Sequence, residues 1–213
     1  MNFLKTTLAA AALAVALPAA AGPIVLDFEG IGDLNPVGDY YNGGGGTNYG
    51  VSFSQDTLAL IDADAGGSGN FANEPSPNTV MFFLNANNAV LNYAAGFDTG
   101  FSFFYSSSVA TTVTIYDGVN GTGNVLGTIT LAAQGFDNCA GDPSGDFCNW
   151  TNVGVAFGGV AKSIDFGGTA NQTGFDNITF GSSTALPEPG TYALMALGLA
   201  GIGFTARRRR EQA

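Results

Sequence analysis

Histidine is absent from this 213-residue chain. Its absence removes Ser-His-Asp and Cys-His catalysis and every histidine-bearing metal site. Basic residues are scarce, with six lysines and arginines against 17 acids. Four of the six are Arg207 to Arg210 and a fifth is Lys5, so Lys162 is the single base of the long middle segment. Fifteen acids share that segment with it. A surface so negative repels nucleic acid and anionic membrane, and suits either plain solvation or cationic ligands. Only two cysteines occur, Cys139 and Cys148, and no second pair points to a metal knuckle. The middle also lacks any amphipathic helical stretch of useful length and any internal repeat.

What the middle has is short apolar runs rich in Val, Ile, Thr, Phe and Tyr, parted by Gly, Asn, Asp and Pro. There are about eleven, from IVLDFE at residue 24 to FDNITF at residue 175. Several alternate at period two. Phe101, Phe103 and Tyr105 share one face, as do Val51 with Phe53 and Val113 with Ile115. YDGVNGTGNVLG has the turn chemistry of a hairpin at Asp117-Gly118 and Asn120-Gly121. The expected fold is all-β, a single antiparallel β-sandwich of jelly-roll type spanning residues 22–181. YYNGGGGTNYG lacks the Gly-Lys-Ser/Thr ending of a phosphate loop and reads as a flexible surface connection.

The two ends have a different character. Residues 1–21 hold one charge, Lys5, then an apolar run and small residues at Ala19 and Ala21, the pattern of a secretory signal peptide. Export places Cys139 and Cys148 in an oxidising compartment, so a disulfide between them is expected, worth roughly 2–3 kcal/mol for so short a loop. At the other end, residues 182–190 form a linker that Pro187 and Pro189 keep out of helix and ladder. Residues 191–206 carry no charge and as a helix reach roughly 24 Å, short of the ~30 Å hydrocarbon core. Residues 207–213 open with four arginines, which stay cytoplasmic and stop transfer. The whole reads as a marginal, temporary membrane anchor.

The order Pro187-Glu188-Pro189, apolar helix, Arg207-Arg208-Arg209-Arg210 resembles the PEP-CTERM sorting tail, also called an ice-binding protein C-terminal domain. The resemblance implies recognition of Pro187, Glu188 and Pro189 by an exosortase-type enzyme, removal of the helix, and retention by the arginines until cleavage. It also implies delivery to the cell surface or extracellular matrix, with extracellular polysaccharide as a candidate partner.

Candidate sites inside the middle segment are few. LDFEG near its start and GFDNITF at its end resemble the matching segments of jelly-roll carbohydrate-binding modules. That resemblance implies a structural calcium ion held by Glu29 and Asp176; Asp27, two residues before Glu29, is expected on the same strand face. Asp62, Asp64 and Gly67 match a calcium loop only in part and read as a flexible acidic loop. Asp137, Asp142 and Asp146 form an acidic group without an assigned role. Trp150, Tyr40, Tyr41 and Tyr49, in or near loops, are candidates for stacking on sugar rings. The expected function is non-catalytic: a surface component that binds or structures polysaccharide. A carboxylate-dependent polysaccharide-active enzyme is one alternative. An ice-binding or surface-adsorbing protein is another, for which Thr111, Thr112 and Thr114 are only a short cluster. Intact-mass analysis of protein from its native host tests the two ends. The expected mass lacks residues 1–21 and everything beyond the Pro-Glu-Pro, and a mass retaining Arg207 to Arg210 makes the anchor permanent.

Overall fold

The computed structural model describes residues 23–134 and 146–183. The expected signal peptide, Cys139, Asp137, Asp142 and the tail from residue 184 lie outside the described residues. All eleven apolar runs form strands, from β1 (Val25–Leu26) and β2 (Val51–Phe53) to β10 (Ala161–Gly167) and β11 (Thr173–Phe180). Between these come β3 (Thr57–Ile61), β4 (Thr79–Phe83), β5 (Asn88–Phe97), β6 (Phe101–Ser107), β7 (Thr111–Tyr116), β8 (Val125–Leu131) and β9 (Thr151–Val155). Short 3-10 turns at Tyr40–Asn42 and Ala63–Ala65 are the only helical elements among the described residues.

The strands form two antiparallel sheets. One has the order β3-β4-β11-β6-β9, with β1 also paired to β11; the other has the order β2-β5-β10-β7-β8. From β4 onward the chain crosses between the sheets at every connection except the β7–β8 hairpin, so that β11 returns beside β4 and β10 beside β5. That is the double Greek-key winding of a jelly roll. The β7–β8 hairpin turns at Asn120 and Gly121, both with positive φ, as their sequence predicts.

Phenylalanine fills the space between the sheets. Phe166 on β10 meets Phe103 on β6 and Phe175 on β11 with ring centroids at 5.5 and 4.9 Å, edge to face. Phe101, Phe103, Phe166 and Phe175 are all fully buried. Offset and edge-on aromatic pairs of this kind add about 0.5–1.5 kcal/mol each beyond their area.

Strand β4 departs from simple alternation, being buried at all five positions. Met81 and Phe83 face the main core, while Val80 and Phe82 join a second cluster with Leu60 and Phe71, flanked by Leu58, Phe147 and Trp150. The outer face of the first sheet is thus roofed by two loop segments. They are tied together by Ala72 N–H donating to Phe147 O at 3.1 Å and Trp150 Nε1 donating to Ala72 O at 3.0 Å. Cys148 in this roof is buried, and its expected partner lies outside the described residues. Replacing Phe103 by Ala is expected to cost about 3–5 kcal/mol by removing a ring that both sheets enclose. Val125→Ala, at a side chain 56% exposed, is expected to stay within about 0.5 kcal/mol. Urea unfolding of both variants at unchanged slope checks the difference.

Candidate functional site

Strand β1 is only two residues long, because the chain changes course immediately after it. Phe28 has φ +62°, a left-handed conformation that is an outlier for so bulky a residue. Its N–H donates to Tyr41 Oη at 2.7 Å, and its ring is fully buried against Tyr41 and Phe53. On the opposing strand the β11–β6 register shifts after Asp176, and Asn177 also takes a positive φ. Both strands are distorted where Glu29 and Asp176 come close.

Between them sits Ser76, flanked in the sequence by Pro75 and Pro77. Asp176 is fully buried and accepts from Ser76 N–H at 2.7 Å, Ser76 Oγ at 2.9 Å and Asn177 N–H at 2.7 Å. Glu29 accepts from the N–H groups of Asn78 and Thr79 at 2.9 and 2.8 Å, and from Thr79 Oγ1 at 2.9 Å. Ser76 Oγ also lies 3.1 Å from Thr79 O, 3.2 Å from Asp27 O and 3.4 Å from Glu29 Oε1. A hydroxyl carries one hydrogen, so it can satisfy one of these four acceptors. Burial pushes the Asp176 carboxyl up to about 8, against the lowering effect of its hydrogen bonds from Ser76 and Asn177, and the nearby Glu29 charge adds to the rise.

Glu29 and Asp176 therefore both approach Ser76, but Asp27 does not join them through its side chain. The left-handed Phe28 breaks the period of two, and the Asp27 carboxylate turns to Glu29 N–H at 3.3 Å and Tyr41 Oη at 3.4 Å. Only its carbonyl faces Ser76. Among the described residues, no group of three or more His, Cys, Asp or Glu side chains converges to hold a metal ion.

The aromatic candidates separate into two places. Tyr40, Tyr41 and Tyr49 line a cleft of about 510 Å³ together with Asp27, Glu29 and Thr47. The glycine-rich stretch expected to be a loose connection is instead folded against Tyr40. A Cβ at Gly46 would lie 2.4 Å from the Tyr40 ring, so glycine is what lets the loop close over it. Trp150 belongs elsewhere, in a small apolar depression of about 30 Å³ on the outer face of the first sheet. Phe71, Phe82, Phe147 and Trp150 give it aromatic walls, and the exposed Asn70 and Asn171 give it a polar edge. Phe71 and Phe147 were not singled out from the sequence, since each sits among small polar residues without strand periodicity.

Of the remaining acidic candidates, Asp62 and Asp146 make local contacts among the described residues. Asp62 caps the 3-10 turn at Ala63–Ala65 by accepting from Asp64 N–H at 3.2 Å, and Asp146 accepts from Asn70 Nδ2 at 3.1 Å. The threonine cluster is more regular than its sequence suggests. Thr112 pairs with Thr130 and Thr114 with Thr128, a two-by-two array on one face, while Thr111 pairs with the buried Leu131.

Residues 185–210 match the PEP-CTERM protein-sorting motif. The tail thus carries the signal for exosortase-dependent sorting to the cell surface. No curated protein matches the chain. Among solved structures, it is similar to CsCBM6-3 from Clostridium stercorarium in complex with cellobiose, at 18% identity over 62% of this chain and 87% of that one, with a TM-score of 0.40. It is also similar to a CBM35 from Paenibacillus barcinonensis, at 16% identity over 63% and 94%, with a TM-score of 0.36. A third is the module CBM6cm-2 from Cellvibrio mixtus lichenase 5A in complex with cellotriose, at 14% identity over 60% and 87%, with a TM-score of 0.36. These structural neighbours are carbohydrate-binding modules of jelly-roll form.

The raised Asp176 carboxyl has a consequence for stability. The folded protein keeps this proton up to about pH 8, whereas an unfolded aspartate releases it near pH 4. Its contribution is complete below about pH 4 and is lost as pH rises towards 8. In buffers free of divalent ions, the melting temperature is expected to fall across that window, and Asp176→Asn is expected to flatten the fall. An equal slope in the variant would move the origin of the pH dependence elsewhere.

Proposed function

We propose that this chain is an exported, non-catalytic surface protein that binds a neutral polysaccharide at the depression beside Trp150. A signal peptide at 1–21 starts its export, and an exosortase-type enzyme removes the transient membrane helix at 191–206. The observation that carries the binding reading is the combination in one place of aromatic walls with the exposed amides of Asn70 and Asn171. Sugar rings are bound in this way, with apolar CH faces against aromatic rings and hydroxyls on polar edges. The depression is too small to enclose a ring, so the sugar lies across its mouth.

A structural calcium ion belongs to the same reading. The atoms gathered around the Ser76 hydroxyl are all oxygen, the donor set of a hard cation, and the buried Asp176 carboxyl has no basic partner among the described residues. The carboxylates of Glu29 and Asp176, with the carbonyls of Asp27 and Thr79, would hold it. Bound there, the ion supplies the positive charge that the site's own side chains lack.

The alternative of a carboxylate-dependent enzyme draws on Asp27 and Glu29 lining one cleft. Against it stand the hydrogen bonds that already occupy both oxygens of Glu29, leaving it poorly placed to trade protons with a substrate.

Trp150 is the only tryptophan in the chain, so its fluorescence reports on the depression directly. Titration of the full-length protein with cellotriose and laminaritriose is expected to shift that emission. Phe147→Ala and Asn171→Ala should each weaken the response at least tenfold, about 1.4 kcal/mol. Calcium, but not magnesium at equal ionic strength, is expected to raise the melting temperature, and Glu29→Gln to remove the increment. An emission indifferent to every neutral oligosaccharide sinks the sugar reading, and equal shifts with both metals sink the calcium one.

A further inference from the structure

The tyrosine-lined cleft borders the proposed calcium site through Asp27 and Glu29 but takes no part in the sugar reading at Trp150; it is the roomier of the two, and about 510 Å³ is within the ordinary range for a small-molecule site. Its charge is unbalanced. Asp27 is exposed, and its carboxylate has only the long contacts to Glu29 N–H at 3.3 Å and Tyr41 Oη at 3.4 Å. Lys162, the only base among the described residues, stands on β10 in the other sheet and does not line the cleft. The walls are aromatic. The rings of Tyr40 and Tyr41 stand at 89° with centroids 5.0 Å apart, and Tyr49 stacks on Tyr41 at 6.3 Å.

We propose that this cleft binds a protonated primary amine, carried by a free amino sugar. An ammonium group brings donors and no acceptors, which matches a carboxylate beside the faces and hydroxyls of tyrosines. A bare metal ion is a poorer match, because it needs several oxygen ligands and the cleft offers ring faces in their place. The Thr47 hydroxyl on the lining and the tyrosine rings suit the hydroxyls and CH face of the sugar body. The walls are set before any ligand arrives. Tyr40 Oη donates to Glu29 O at 3.0 Å, Tyr41 Oη accepts from Phe28 N–H, and the glycine loop is closed against the Tyr40 ring. Rigid walls reduce the ordering cost of binding.

Calorimetric titration of the full-length protein at pH 6, in saturating calcium, with D-glucosamine, D-glucose and N-acetyl-D-glucosamine tests this. Glucosamine is expected to bind at least tenfold more tightly than the other two. Asp27→Asn should weaken it at least tenfold, and so should Thr47→Trp, which fills the cleft from an exposed position and leaves every hydrogen bond named above in place. Trp150 emission should not respond to glucosamine, which separates this cleft from the proposed polysaccharide site. Equal binding of the three sugars, no binding of glucosamine, or affinity unchanged in Thr47→Trp overturns the proposal. So does a Trp150 response, or a loss of glucosamine binding as calcium is raised.

Discussion

A buried carboxyl group with no basic partner among the described residues, that of Asp176, ties the last strand to the Ser76 segment beside the first. The strands nearest the two chain ends, β1 and β11, pair over only two rungs, Val25 with Thr179 and Leu26 with Ile178. What adds to this is Ser76, which bonds Asp176 from 100 positions away in the sequence and also approaches Asp27 and Glu29. The left-handed Phe28, the shifted register after Asp176 and the prolines either side of Ser76 are all consistent with that one meeting point. Each local departure from ideal geometry costs of order 1–3 kcal/mol and persists because its surroundings leave no alternative. The buried Phe28 ring is such a surrounding, since moving it outward would open the core beside Tyr41 and Phe53.

The second determinant is a sheet covered on both faces. Because Val80 and Phe82 need cover on the outer side, the segments around Phe71 and Phe147 must fold back over β4. Gly174 on β11 allows Trp150 to lie close, since a Cβ there would meet the indole at 3.1 Å. The depression beside Trp150 is thus a by-product of roofing the sheet. Its walls are as well held as the small core from which they project.

Legibility in the sequence followed how local the cause was. Strand runs are set by alternation and by Gly, Asn and Asp between them, and all eleven could be read. The β7–β8 hairpin was equally plain from Asn120-Gly121. The burial of Thr79–Phe83 on both faces was not read from the sequence, because nothing in the run says what provides the cover. The meeting of Glu29 with Asp176 was suggested only by the resemblance of LDFEG and GFDNITF to carbohydrate-binding modules, since no periodicity or spacing joins residues so far apart. Ser76 was not suggested at all, because its role exists only once segments far apart in sequence meet. Asp27 was misplaced for a related reason: a period of two holds only while the strand continues, and Phe28 ends it. The glycine-rich stretch looked loose because composition reports freedom in the unfolded chain. Its packing against Tyr40 is a tertiary fact.

The way the chain leaves the sandwich gives the molecule a direction. Gly181 N–H donates to Gly100 O at 3.0 Å, and Ser183 O passes so near Gly154 that a Cβ there would lie 2.2 Å away. The route towards the sorting motif therefore starts from the pole where β11 ends. The Trp150 depression draws on Asn171, Thr173 and Gly174, at the pole where β11 begins. Eight residues of strand separate the two, roughly 26 Å at 3.3 Å per residue. A ligand lying across the Trp150 depression and the start of the sorting tail therefore sit towards opposite ends of β11.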